Sequence, residues 1–150
     1  MKPNPLLQCL LVMMALASPP ATAGERSQAE ANKQTVLAYM QQLFGDKDIG
    51  AVERYVAKDY IQHDPTIPDG RQAVIDMFGP MLKGQPQSRF EYSHVAADGD
   101  LVFVHFRSVD MQNKPDVVVD IFRLKDGLIV EHWAVAQAVP ETSRNGHTMW

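Results

Sequence analysis

The spacing of hydrophobic residues changes near the middle of the chain, from a helical period in the first half to strand-like segments in the second. The first helix is predicted to begin at the Ser27-x-x-Glu30 pattern, which is typical of a capping box that satisfies the free backbone donors of a helix start. The apolar residues that follow recur on one helical face: Val36, Leu37, Met40, Leu43 and Phe44.

Two further helices are predicted before the period changes. A short one begins near Asp48 and ends at Asp59-Tyr60, with its inward side formed by Val52, Tyr55 and Val56. The other follows Pro68-Asp69-Gly70, and its apolar positions are Val74, Ile75, Phe78 and Leu82. We expect Gly79-Pro80 to break or kink this helix, because proline removes a backbone donor.

Four strands are predicted in the second half, at 89–97, 101–109, 117–124 and 128–137, where Val, Ile, Phe and Tyr are frequent. The Asp98-Gly99 and Asp126-Gly127 turns favour antiparallel pairing of consecutive strands. Helices followed by a meander indicate the α+β class. We expect the N-terminal helices to pack on a curved, mostly antiparallel sheet and to form a cone with a central pocket.

The turn at Lys125-Asp126-Gly127 allows two registers for the last two strands. A two-residue loop places Asp120 opposite Trp133. A three-residue loop with a bulge at Gly127 pairs Leu124 with Leu128, Phe122 with Val130, and Asp120 with His132. We favour the second register because it gathers one mostly apolar face. That face contains Val118, Phe122, Leu124, Leu128, Val130, Ala134 and Ala136, with Asp120 and His132 as its strongly polar members.

An aspartate facing a histidine in an apolar pocket points to a general base, because the carboxylate fixes the imidazole tautomer and raises its basicity. The competing interpretation is a buried polar contact without a functional role. His105 shares a strand face with Leu101 and Phe103, and His63 lies in a loop that leads into a helix. The histidines lack the paired short spacing of metal ligands, so neither a metal nor another cofactor is expected.

The N-terminal segment reads as a secretory signal peptide, with Lys2, an apolar run over 6–17 and the Ala21-x-Ala23 triplet. We expect cleavage after Ala23, a single domain over 24–150, and a periplasmic or secreted protein without integral membrane contact; an uncleaved membrane anchor is the alternative. The only cysteine, Cys9, lies in this segment. The net charge of −4 and the lack of a basic cluster argue against nucleic acid as a partner.

Several motifs spread over residues 24–150 carry a resemblance to a known family. They are Tyr60-Ile61-Gln62-His63-Asp64-Pro65, Asp69-Gly70, Gly99-Asp100-Leu101-Val102-x-Val104-His105, Val119-Asp120-Ile121-Phe122-Arg123, Asp126-Gly127-x-Ile129-Val130-Glu131-His132-Trp133 and Asn145-Gly146-x-Thr148-Met149-Trp150. Taken together they resemble the SnoaL-like proteins of the nuclear transport factor two superfamily. The resemblance implies a cone-shaped fold, often a homodimer, and relatives that include polyketide cyclases and ketosteroid-isomerase-like enzymes.

One departure from the family's pattern leaves the function open. In the relatives the Glu-His-Trp motif usually continues into an Asp, the acid/base residue suggested for the cyclases, whereas this chain has Ala134. The chain is therefore expected to bind a small apolar or carbonyl ligand without established activity, or else to be a cofactor-free cyclase or isomerase that abstracts a proton next to a carbonyl. The candidate catalytic residues are Asp120, His132 and His105. The candidate ligand-binding residues are Tyr60, His63, Phe103, Phe122 and Ala134.

Overall fold

The computed structural model describes residues 22–109 and 113–150, and the predicted signal peptide lies outside them except for Thr22 and Ala23. The elements in chain order are α1 (Ala23–Met40), which continues into a π-helical turn (Gln41–Gly45), then α2 (Ala51–Tyr55), β1 (Val56–Gln62), α3 (Arg71–Leu82), β2 (His94–Asp98), β3 (Leu101–Val109), β4 (Pro115–Lys125) and β5 (Leu128–Ala138). Within these described ranges no helix has the length and apolar character needed to cross a membrane.

Helix α1 begins earlier than predicted. Its capping box is formed by Thr22 and Glu25, since the Thr22 hydroxyl accepts from the Glu25 backbone N–H and the Glu25 carboxylate accepts from the Thr22 N–H. Thr22-x-x-Glu25 has the same pattern as Ser27-x-x-Glu30, so the pattern alone does not choose between them. The helix start is largely exposed as far as Asn32, whose side chain donates to the Gly99 carbonyl at 3.1 Å.

Strand β1 was not predicted. Its buried residues are Val56, Ala57 and Tyr60, and the polar pair Lys58 and Asp59 between them hides the two-residue period. The strand follows α2 directly and pairs in parallel with β5. It therefore adds a fifth strand to the four that were predicted.

Helix α3 runs through Pro80 to Leu82, so the predicted break at Gly79-Pro80 is wrong. Proline removes the hydrogen bond that its N–H would donate to the carbonyl four residues earlier, here that of Asp76. Asp76 and Pro80 both lie on the exposed side of α3, where water can satisfy that carbonyl. The helix loses a hydrogen bond at this point but continues to Leu82.

The five strands form one open sheet in the order β1-β5-β4-β3-β2, in which all neighbours are antiparallel except β1 and β5. Its inner face packs under the helices. The core side chains that it contributes include Val102, Val104, Phe106, Phe122, Leu124 and Ile129, and the helices contribute Val36, Met40, Leu43, Val52 and Val74. The predicted α+β class, with N-terminal helices on a curved and mostly antiparallel sheet, is confirmed.

The register between β4 and β5 differs from both predicted alternatives. Lys125 pairs with Leu128 across a two-residue turn, in which Asp126 (φ 52°) and Gly127 (φ 79°) are both left-handed. Beyond Leu124, which pairs with Ile129, a bulge inserts one residue into β5. The observed partners are then Phe122 with His132, Ile121 with Trp133, and Asp120 with Ala134.

The favoured three-residue loop was therefore wrong in its pairs, and it also misplaced several side chains. Ile129 is fully buried, whereas Leu128 is 38% exposed and Ala134 and Ala136 lie open to solvent. The observed pairs beyond the bulge differ from the favoured ones by two residues. For the residues beyond the bulge, a shift of two leaves each side chain on the predicted face of the sheet, so Asp120 and His132 still point inward together.

Candidate functional site

A cavity of about 170 Å³ opens between the inner face of the sheet and helices α1 and α3. Strands β1, β4 and β5, the loop after β1 and Tyr39 of α1 supply its polar side chains, and the helices supply most of its apolar wall. Its lining residues are Tyr39, Met40, Phe44, Tyr60, Gln62, Asp64, Ile67, Val74, Met77, Phe78, Asp120, Phe122, His132 and Ala134.

The two strongly polar groups predicted for the inner face meet at this cavity. Nε2 of His132 lies 3.3 Å from Oδ1 of Asp120, and their side chains are only 14% and 11% exposed. The imidazole ring also packs against Phe122, at 4.8 Å between ring centroids, and against Tyr60 at 6.5 Å. Because of the bulge in β5, the residue directly opposite Asp120 is Ala134. Asp120 therefore contacts His132 diagonally across the two strands.

The other ring nitrogen of His132 is held by Gln62 at the end of β1. Nδ1 of His132 lies 3.1 Å from Oε1 of Gln62, which also accepts from the backbone N–H of Asp64 at 3.0 Å. The Gln62 amide nitrogen in turn donates to the hydroxyl of Tyr60 at 3.0 Å. Both nitrogens of the imidazole therefore have a protein partner.

Asp120 and Tyr39 each keep an oxygen atom that is available to a ligand. In the part of the chain that the structure describes, no buried side-chain oxygen or nitrogen lacks a hydrogen-bond partner. Oδ2 of Asp120 and the hydroxyl of Tyr39 make no hydrogen bond there, so both must be accessible from the cavity that their side chains line. A carboxylate oxygen and a phenol are thus available at one end of an apolar cavity.

The charge of Asp120 and the burial of its surroundings act on the two tyrosines. Burial raises the pKa of Tyr39 well above its ordinary range, and the nearby carboxylate of Asp120 raises it further. The pKa of Tyr60 is raised by burial first and then by Tyr39 and Asp120. Both hydroxyls therefore stay protonated and can act as hydrogen-bond donors at any ordinary pH.

Asp64 lies at the mouth of the cavity and is anchored by its own turn. Its Oδ1 accepts from the Thr66 hydroxyl at 2.6 Å and from the Thr66 backbone N–H at 2.8 Å. These hydrogen bonds, together with the nearby His132, lower the pKa of the Asp64 carboxyl. The turn that carries Gln62 and Asp64 is therefore held by hydrogen bonds where it meets the cavity.

Of the residues predicted to bind a ligand, Tyr60, Phe122 and Ala134 line the cavity, whereas His63 does not. The ring of His63 stacks on Trp133 on the opposite side of the sheet, with centroids 4.5 Å apart and planes 6° apart. Its Nε2 lies 2.8 Å from Glu131, which also accepts from Nε of Arg123 at 2.8 Å. The hydrogen bond from His63, with Arg123, lowers the pKa of Glu131.

His105 and Phe103 also lie away from the cavity, so the expectation that they share it with Asp120 and His132 needs correction. The buried face of β3 carries Val102, Val104 and Phe106, and the alternation of a strand turns residues 103 and 105 outward. His105 pairs instead with His94 on β2, with their Nδ1 atoms 3.0 Å apart. No cavity residue contributes to this pair.

Sequence reasoning missed several residues of the cavity wall, chiefly because β1 was not recognised. Gln62 and Asp64 lie at the end of this strand and in the loop beyond it, which was treated as the setting of His63 alone. Tyr39 adjoins the predicted face of α1, one residue before Met40. A strand assignment for residues 56–62 places Gln62 on the same face as Tyr60 and would have identified it.

A larger hollow of about 550 Å³ lies at the other end of the sheet, where Arg107 packs over the ring of Trp150 at 4.9 Å. It is open, and none of the residues predicted to be functional lines it. Within residues 22–109 and 113–150 no group of three or more His, Cys, Asp or Glu is placed to hold a metal ion. The smaller cavity at Asp120 is the site that the chemistry favours.

Comparison with known proteins agrees with the fold. An NTF2-like protein of unknown function from Burkholderia xenovorans LB400 is 19% identical, with a TM-score of 0.61, covering 77% of this chain and 89% of that one. One from Mesorhizobium loti is 21% identical, with a TM-score of 0.59 and coverages of 74% and 94%. A protein from Jannaschia sp. CCS1, provisionally assigned as a SnoaL-like polyketide cyclase, is 20% identical, with a TM-score of 0.58 and coverages of 72% and 86%.

These identities are low enough that the similarity speaks for the fold alone. No curated protein matches the sequence significantly. The family model of the SnoaL-like domain, by contrast, matches residues 36–132, which is well over half of the chain. The matched range includes β1 and three cavity residues, Asp64, Asp120 and His132. The chain belongs to the SnoaL-like domain family.

Proposed function

We propose that the cavity binds a small, mainly apolar molecule that carries a carbonyl or hydroxyl group. The observation that carries the proposal is the division of the cavity wall. One end presents Oδ2 of Asp120 and the hydroxyl of Tyr39, while Met40, Phe44 and Val74 form apolar surface. An apolar pocket with a few converging polar groups is the usual form of a small-molecule site.

The volume limits the size of the ligand. An engineered protein cavity of about 150 Å³ holds a benzene molecule, so a cavity of about 170 Å³ accommodates roughly one six-membered ring. A larger molecule, such as a steroid or a polycyclic polyketide, must extend out of the cavity. Ala134 is exposed at the cavity wall, so such a molecule can pass over its small side chain.

The test is a thermal-shift screen of the protein against single-ring carbonyl compounds, such as cyclohexenone and acetophenone, and against steroids and aromatic polyketides. A ligand at ten times its dissociation constant stabilises the folded state by about 1.4 kcal/mol, which raises the Tm by a few degrees. Asp120→Asn and His132→Ala should reduce the shift, and His105→Ala should leave it unchanged. If no compound shifts the parent, or if Asp120→Asn and His132→Ala respond like the parent, the proposal fails.

The pairing of Asp120 with His132 favours a second, catalytic candidate, in which the protein abstracts a proton next to the ligand's carbonyl. Oδ2 of Asp120 would form a bond to the proton as the C–H bond breaks, and the electron pair of that bond would move toward the carbonyl oxygen. The Tyr39 hydroxyl would donate a hydrogen bond to the resulting enolate. His105, a catalytic candidate from the sequence, and His63, a ligand-binding candidate, lie outside the cavity.

Hydrogen–deuterium exchange tests this candidate without knowledge of the product. A ketone that binds in the screen is incubated in D₂O with the protein, and loss of its α-proton signal is followed by NMR. Removing a positioned general base typically slows exchange by roughly 10²- to 10⁴-fold, which is the result expected for Asp120→Asn. The His105→Ala variant should match the parent. Binding without faster exchange would leave the protein as a binding protein only.

We further propose that a second copy of the chain covers the outer face of the sheet. That face carries Phe103, Ile121 and Trp133 as well as Val135, which is 64% exposed. Contiguous apolar surface of this kind is typical of an interface between subunits. Light scattering should give twice the mass of the chain, and Val135→Glu should reduce it. A parent that remains monomeric at high concentration would contradict the dimer.

Export remains a proposal that rests on the N-terminal segment. Cleavage after Ala23 would remove Thr22 and its cap, but the first turns of α1 are exposed and contribute little to the core. The mature helix would therefore lose its cap without loss of packing. N-terminal sequencing of the protein produced with its own leader should read Gly-Glu-Arg from Gly24, and an intact Met1 would contradict export.

A further inference from the structure

The orientation of the Gln62 side chain is determined by a donor that cannot change its role. The backbone N–H of Asp64 lies 3.0 Å from one end of the Gln62 amide, and a backbone N–H can only donate. The atom that faces it must therefore be the carbonyl oxygen Oε1. The opposite end of the amide is then the nitrogen, which donates to the Tyr60 hydroxyl at 3.0 Å.

The chain on both sides of Gln62 is also held in place. Its own backbone N–H donates to Oδ1 of Asp69 at 2.8 Å, and the next N–H, that of His63, donates to the backbone carbonyl of His132 at 3.0 Å. The turn beyond is closed by the hydrogen bonds between Thr66 and Asp64. A rotation of the Gln62 amide would thus lose the hydrogen bond from Asp64 without gaining another.

This orientation decides which nitrogen of His132 carries a proton. Nδ1 of His132 and Oε1 of Gln62 form a hydrogen bond of 3.1 Å in which the amide oxygen can only accept, so its hydrogen lies on Nδ1, whereas Nε2 meets Asp120 at the longer distance of an ion pair. A neutral imidazole has one N–H, which leaves Nε2 without a proton and directed at Asp120, 3.3 Å away. When a second proton is bound, it lies on Nε2 between the ring and the carboxylate.

We propose that Gln62 is a positioning residue that keeps the proton on Nδ1 of His132 and so makes Nε2, beside Asp120, the nitrogen that gains and loses a proton. The tautomer itself follows from geometry, whereas its use in proton transfer rests on the catalytic candidate above. In that role, His132 exchanges a proton with Asp120 and returns the carboxylate to its charged form after each abstraction. Its Nδ1 takes no part in the transfer.

The test reads the tautomer directly, by long-range ¹H–¹⁵N NMR of the ¹⁵N-labelled protein, with the His132 signals assigned by their loss in His132→Gln. At a pH where the ring is neutral, the parent should show a protonated Nδ1 and a bare Nε2, the reverse of the tautomer that free histidine prefers. Gln62→Leu removes the acceptor and should restore the ordinary tautomer, while Gln62→Glu keeps an acceptor and should retain the parent's. Gln34→Leu, in the exposed part of α1, is the control.

A bare Nδ1 in the parent, or an unchanged tautomer in Gln62→Leu, would overturn the proposal. The deuterium exchange of a bound ketone gives a second test. Gln62→Leu should slow this exchange roughly 10- to 10³-fold with little change in the ligand's affinity, and Gln62→Glu should recover part of the rate. The two proposals fail separately. The tautomer can hold when no ligand is found, and a ligand can bind and exchange while the NMR contradicts the role of Gln62.

Discussion

The contact between Asp120 and His132 predicts a measurable coupling in the stability of the protein. When His132 is protonated, the two groups carry unit charges, which at 3.3 Å attract by about 5 kcal/mol at an effective dielectric constant of 20. The desolvation of both groups, and water that enters the cavity beside them, offset part of this attraction. We expect a net coupling of about 1–3 kcal/mol, which is the range typical of residues in one hydrogen-bonded or charged network.

A double-mutant cycle measures it, with Asp120→Leu, His132→Phe and the double variant. Each single variant leaves one polar group without its partner in an apolar wall and should lower the free energy of unfolding by about 2–4 kcal/mol. The double variant leaves neither, so its loss should be smaller than the sum of the two single losses by the coupling energy. Urea unfolding followed by tryptophan fluorescence gives each free energy by linear extrapolation.

Arg123 and Glu131 on the outer face provide the matched control. Their atoms are 2.8 Å apart, closer than those of Asp120 and His132, but the side chains are 37% and 20% exposed. Solvent-exposed ion pairs contribute at most about 1 kcal/mol, so the cycle for this pair should give the smaller value despite its shorter distance. A coupling below about 0.5 kcal/mol for Asp120 and His132, or one equal to that of the outer pair, would refute the reasoning that burial makes the inner contact strong.

The other predictions concern the tyrosines, the bulge and the outer face. Because the folded-state pKa of Tyr39 lies above the unfolded value near 10, its contribution to stability is complete below pH 10 and is lost as the pH rises above 10; Tyr39→Phe should therefore make the decline between pH 10 and 12 shallower by up to about 1.4 kcal/mol per pH unit in urea unfolding. Ile129→Ala should cost about 2–4 kcal/mol in the same assay and Leu128→Ala less than about 1 kcal/mol, whereas the reverse order would support the register without the two-residue turn. His105→Ala should bind any cavity ligand as the parent does in calorimetry, and a weakened affinity would show that His105 reaches the site after all.

Helices α1 and α3 and strands β3 to β5 could be predicted because their burial is one-sided and long enough to produce a clear period, whereas α2 is shorter than predicted and β2 begins later. Val36, Met40 and Leu43 recur on one side of a helix, and the alternation from Val102 to Phe106 is complete. Strand β1 could not be recognised in this way. It has only three buried positions, and two of them, Val56 and Ala57, are adjacent, so neither a helical nor a two-residue period stands out.

The register between β4 and β5 shows a different limit. The length of the turn and a bulge can each shift the pairing register by one residue. The apolar pattern indicates only whether the total shift is an odd or an even number of residues, because an odd shift moves side chains to the other face. The sequence was sufficient to place Asp120 and His132 on the same face, because that depends on parity alone. It was insufficient to identify the direct partners, because Leu128 and Ile129 are both apolar and either can serve as the buried residue after Gly127.

The pairing of Asp120 with Ala134 bears on the one departure from the family's pattern, which is Ala134 in place of the usual Asp after Glu131-His132-Trp133. Directly opposed residues of an antiparallel pair have Cβ atoms about 4.5–5.5 Å apart, so a carboxylate on either strand reaches nearly the same space. The resemblance places the family's acid at position 134, and here that position is a small residue at the cavity wall with Asp120 facing it across the strands. The wall therefore keeps a carboxylate beside His132 although the motif has lost its own. The loss of the acid after Glu-His-Trp, taken alone, is then no argument against proton-transfer chemistry in this protein.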